Sequence, residues 1–167
     1  MDIRETLASG QSKANTTAIV EYIGDDPKRF AELMSIFFNG EYRPTQRAAW
    51  PISVAAEKRP HLLTPYLKRL VDQLPKTDVH NAVKRNVVRL LQYVEIPKRL
   101  QGKVYSHCLD LIADPSETIA VRAFSMTVAA KIASDELSLL DELRLVVSQN
   151  IAGASAGIRV RARKILS

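Results

Sequence analysis

The sequence predicts an all-α fold: a right-handed α-α superhelix of about four helix pairs behind an N-terminal capping helix. Three observations carry that expectation. An arginine recurs at Arg47, Arg85, Arg122 and Arg161, in steps of 38, 37 and 39 residues, each time near the start of an apolar segment. A fixed period in this range marks stacked units that cannot bury an apolar face alone. Polar or proline-containing turns separate the segments, at Asn39-Gly40-Glu41-Tyr42, Lys76-Thr77-Asp78, Asp114-Pro115-Ser116 and Ala152-Gly153-Ala154-Ser155. No segment alternates polar and apolar residues between hairpin turns, as a strand would.

In chain order, helices are expected at 13–23, 27–38, 45–58, 64–74, 79–94, 98–113, 117–133, 136–150 and 156–166. Residues 1–25 form the cap, and 26–167 form four helix-pair units of a single domain spanning 1–167. Asp26 before Pro27 and Thr64 before Pro65 each place an N-cap acceptor ahead of a proline at the first helical position. Asp135 and Glu136 put negative charge at a helix start, where the dipole favours it. Pro51 lies inside 45–58 and predicts a bend, because Ile52, Val54, Ala55 and Ala56 continue the apolar pattern beyond it. In 79–94, Val79, Val83, Val87, Leu90, Leu91 and Val94 share one side, with Asn81, Arg85, Arg89 and Gln92 opposite. The core expected between helices comprises Leu67, Leu70, Val71, Val83, Val87, Leu91, Val104, Leu111, Val121, Val128 and Leu140.

Composition narrows the function classes. The net charge is +6, with a pI near 9.6, and it is unevenly spread. Residues 41–103 hold 13 Lys/Arg against 5 Asp/Glu, residues 104–150 hold 3 against 7, and residues 151–167 hold 4 against none. A basic centre beside an acidic segment steers anionic partners, although solvated helix faces give the same count. Charge at the very start, in Met1-Asp2-Ile3-Arg4-Glu5, is unlike a secretory leader. No apolar run is long enough for a membrane span. One cysteine, Cys108, fits a reducing cytoplasm. His61, His80 and His107 lie far apart, with no His-x3-His or Cys-x2-Cys spacing, so no metal is expected. No glycine-rich phosphate loop and no nucleophile–base pair is visible. No cofactor and no catalytic residue are therefore expected.

Leu74-Pro75-Lys76-Thr77-Asp78 followed by Val83-Lys84, and Leu111-Ile112-Ala113-Asp114-Pro115 followed by Val121-Arg122, resemble the HEAT repeat. Val160-Arg161 keeps the pattern in the last unit, while Gln46-Arg47 replaces it in the first. The span from Asp114 to Val121 is two residues longer than that from Asp78 to Val83, so one turn should differ. The chain as a whole is also similar to small bacterial HEAT-like proteins. The resemblance implies antiparallel helix pairs in an armadillo-like stack. It also implies a structural role for Asp78, Lys84, Asp114, Arg122 and Arg161, which would tie consecutive units through charge-assisted hydrogen bonds.

Second helices of HEAT units line the concave face, so Arg47, Arg85, Arg89 and Arg163 are the candidate binding residues. Trp50 reads either as core or groove wall or as a stacking platform beside Arg47. The function this implies is a non-enzymatic interaction module whose concave face takes an acidic peptide or protein. The alternative is a nucleic-acid-binding protein related in architecture to HEAT-like DNA alkylation-repair glycosylases. The Trp-rich cluster around an aspartate that those enzymes carry is missing from this chain.

Overall fold

Capping chemistry starts the first helices. In the computed structural model, which describes residues 1–39, 41–77 and 81–167, the Asp2 side chain accepts from the N–H of Glu5 at 3.0 Å and opens α1, Ile3–Ala8. Ser12 does the same for Asn15 at 3.0 Å and opens α2, Lys13–Ile23. Asp26 accepts from Lys28 at 2.8 Å ahead of α3, Pro27–Asn39. The next helices are α4, Tyr42–Lys58, and the short α5, Pro60–Leu63. α4 continues through Pro51. The described residues contain helices and turns and no strand.

The chain forms two compact units, Met1–Leu67 and Lys68–Ser167. In the first, α1 packs on α3 and α2 on α4, while α1 with α2 and α3 with α4 make successive pairs. The expected capping helix is thus a short helix pair. Its first member, at six residues, is below the length at which periodicity is readable. Ile3, Leu7, Ile19, Ile23, Phe30, Leu33, Phe37 and Ile52 are buried here.

The helix expected over 64–74 is broken. Pro60 takes the first position of α5, a 3-10 turn covers Thr64–Tyr66, and α6 is only Leu67–Val71. Thr64 does not cap: its hydroxyl donates back to the Pro60 carbonyl at 3.1 Å. Pro65 lies one turn into the helix that starts at Pro60 and has no N–H for the His61 carbonyl, so a 3-10 turn interrupts the α-helical bonds there.

In the second unit follow α7, Asn81–Leu91; α8, Lys98–Ala113; α9, Ile119–Ala133; α10, Leu137–Gln149; and α11, Ala156–Leu166. α8 pairs with α9, and α10 with α11. α8 and α10 lie side by side in one layer, and α7, α9 and α11 form the other, with α9 in the middle. The expected core residues are buried except Val83 and Leu140, which are half-buried. α7 is buried over a wider arc than its apolar spacing implies, through Ala82, Asn86 and Val88 as well as Val87, Leu90 and Leu91. Arg85, Arg89 and Gln92 remain as a narrow half-buried stripe.

One ion triad ties α6 and the residue after it to α8. Asp72 accepts from Lys68 at 2.8 Å and from Lys103 of α8 at 2.6 Å. Bonding to these two ammonium groups, Lys103 first, lowers its carboxyl from 3.8 to about 2. A lowered folded-state pKa stabilises the fold above the ordinary value, and that contribution disappears as pH falls from about 4 to about 2. Asp72→Asn is therefore expected to flatten the acid limb of a stability–pH curve in that window. An identical acid limb would contradict the triad.

Candidate binding face

Helix C-termini leave carbonyls without donors, and their dipole favours cations. Several basic side chains answer that need across helix boundaries. Arg122 on α9 donates through Nε to the Ile112 carbonyl at the end of α8 and through Nη2 to the Asn150 carbonyl after α10, both at 3.0 Å. Arg47 on α4 donates to Leu7 and Ala8 at the end of α1, both at 2.9 Å. Lys131 reaches the Val94 carbonyl at 2.7 Å and that of Gln92 at 3.4 Å, just beyond α7. Arg144 on α10 donates to Ile165 of α11 at 3.1 Å.

Lys84 takes a different partner. Its ammonium pairs with Glu117, in the turn before α9, at 2.8 Å, and the two side chains are 12% and 6% exposed. The turn with two extra residues contains this glutamate. Asp114 accepts instead from the N–H and hydroxyl of Ser116, at 2.8 and 2.6 Å, with no basic side chain bonded to it. Those bonds lower its carboxyl pKa. Asp78 and His80 lie outside the described residues. Arg161 on α11 donates to the Thr127 hydroxyl and, at 3.5 Å, to the Gln92 side chain.

Gln92 places Arg161 at the end of the Arg85–Arg89 stripe, since Arg89 and Gln92 are one turn apart on the same side of the chain. Arg85, Arg89, Arg161 and the outer side of α9 thus share one face. Arg163 does not join it. Two residues from Arg161, it points about 200° around α11, and it is exposed beside Ile151, Ala162 and Leu166. Arg47 and Trp50 belong to the other unit, and half-buried Trp50 has no aromatic or cation stacked on it among the described residues.

The face is one-signed. α7, α9 and α11 contain no aspartate or glutamate. Residues 68–167 hold 16 Lys/Arg against 10 Asp/Glu, whereas residues 1–67 hold 8 of each, so the whole net charge falls on the second unit. A cleft of about 550 Å³ beside α8, α9 and α10 mixes Glu95, Asp135 and Glu136 with Lys98 and Lys131 and favours neither sign. Cys108 is buried, and burial pushes its thiol up to about 12, far from a reactive thiolate. Among the described residues no three His, Cys, Asp or Glu side chains gather where they could hold a metal ion, and no helix is long and apolar enough to cross a membrane.

Sequence reasoning missed Glu117 and Lys131. Glu117 reads as an ordinary acidic residue in the first turn of a helix, and Lys131 as a basic one near a helix end. Neither shows its cross-helix partner in the chain itself.

No curated protein and no solved structure matches the chain. A family model, described as the HEAT repeat domain, matches residues 3–167. That span covers both units and every helix pair described above, and the chain belongs to the HEAT repeat family, whose members generally serve as non-catalytic scaffolds for protein interactions.

Proposed function

We propose that the face formed by α7, α9 and α11 binds an acidic peptide or protein segment. One observation carries this reading. Arg85 and Arg89 are half-buried, and their guanidinium groups have no hydrogen bond or ion pair among the described residues. The other half-buried arginines are all occupied. Arg47, Arg122 and Arg144 hold backbone carbonyls, Arg59 holds Asp25, and Arg161 holds Thr127 and Gln92. A guanidinium offers five donors in a planar fork suited to a carboxylate, and two such forks one turn apart lack acceptors of their own. The absence of carboxylates from all three helices supports the same sign of partner. A protein segment is favoured over nucleic acid because HEAT repeat domains generally serve as scaffolds for protein interactions.

The test is a titration of a glutamate-rich peptide and of duplex DNA against the wild type and an Arg85→Gln, Arg89→Gln variant, which keeps the stems and removes the charges. The peptide should bind, and the variant should lose about tenfold or more in affinity. Unchanged peptide binding by the variant would refute the site. Tighter binding of duplex, weakening steeply with salt, would favour nucleic acid instead.

A further inference from the structure

Resting on that reading, we infer that the acidic segment docks along α9 as an amphipathic α-helix, with an apolar seam flanked by carboxylates. The outer side of α9 presents Ala120, Phe124, Thr127 and Ala130 at helical spacing, all half-buried. Arg85 and Arg89 stand on the α7 side, and Arg161 and Lys164 on the α11 side, the latter two beside Thr127 and Ala130. An uncharged floor between basic edges complements an apolar seam between acidic ones.

The backbone of the ligand decides its conformation. An extended segment brings one N–H and one C=O per residue, and each must find a partner when pressed onto Ala120 and Phe124. A sheet edge would supply them, but no strand occurs among the described residues. Backbone groups within α7, α9 and α11 are satisfied inside the helices. Arg85 and Arg89 can serve the segment's carbonyls, but its N–H groups need side-chain acceptors, and here the Gln92 amide oxygen is engaged with Arg161 while Asn86 is buried. A helix satisfies its own backbone and needs only side-chain recognition. Arg85 and Arg89 lie about 6 Å apart along the axis of α7, the spacing of carboxylates at i and i+4 on a helix running alongside. Ala120, Thr127 and Ala130 are short and Phe124 between them is large, so helix axes would pack about 8–10 Å apart.

Two synthetic peptides of about 20 residues test this, long enough to support helix formation. Both carry the same net charge, with glutamates at i and i+4 beside a leucine–alanine seam. One has two seam residues replaced by proline, which prevents the helix. Each is titrated against the full chain, the Arg85→Gln, Arg89→Gln variant, and Ala120→Trp, which fills the floor without changing charge; Ala130→Trp serves if the first does not fold. The helical peptide should bind about tenfold or more tighter than its proline counterpart. It should lose affinity with both the charge variant and the floor variant. Equal affinity of the two peptides, still dependent on Arg85 and Arg89, would overturn the helical occupant and leave the acidic site standing. Binding of neither peptide would overturn both.

Discussion

Glu117→Ala is expected to destabilise the protein by about 3–5 kcal/mol, the cost of leaving one member of a buried ion pair without its partner. The ammonium of Lys84 lies 2.8 Å from Glu117 Oε1, with both side chains nearly sealed from water. Alanine would strand that charge between α7 and the turn before α9. The second carboxylate oxygen, Oε2, has no hydrogen-bond partner among the described residues, so the pair is not fully compensated as it stands. Replacing both members, as Lys84→Met with Glu117→Leu, should therefore recover most of the loss. Urea unfolding of the single and double variants checks both statements. A loss under about 1 kcal/mol for Glu117→Ala would mean the pair behaves as a surface contact.

Arg122→Ala should cost about 3 kcal/mol. It removes two charge-assisted hydrogen bonds and leaves the Ile112 and Asn150 carbonyls, at two helix ends, without their donor. Arg122→Lys, with a compact ammonium that lacks the fork, should recover only part of that. Equal midpoints for Arg122→Ala and the wild type would show that water replaces the guanidinium without loss.

Three helices agree with the sequence reading to the residue, and α3 and α10, whose starts carry Asp26 and Glu136, agree within one. Ser12 opens Lys13–Ile23, Pro97 precedes Lys98–Ala113, and Ser155 precedes Ala156–Leu166. The stretch after Lys58 was not legible. Pro60 and Pro65 each promise a helix start; the helix starts at Pro60, and Thr64 donates back to its carbonyl instead of capping a start at Pro65. The period of arginines was visible, but their acceptors were not. Arg47, Arg122 and Arg161 occupy related positions, yet they reach respectively the end of α1, the ends of α8 and α10, and the side chains of Thr127 and Gln92. The partner of each is set by which helix end lies opposite, a property of packing that no local spacing encodes. Grouping Arg47 and Arg163 with Arg85 and Arg89 rested on all four lying in second helices of the units. Arg47 is turned to α1 carbonyls, and Arg163 lies on the far side of α11 from Arg161.

The half-buried basic residues fall into those that join helices and those that remain open to a partner. The most direct measurement is denaturant unfolding of the Arg85→Gln, Arg89→Gln variant beside Arg122→Ala under identical conditions. Arg85 and Arg89 have no acceptor to lose, and glutamine keeps their stems in place. The double variant is expected to stay within about 0.5 kcal/mol of the wild type, while Arg122→Ala loses several times that. A double variant that unfolds as readily as Arg122→Ala would contradict the division and make Arg85 and Arg89 part of the joints between helices.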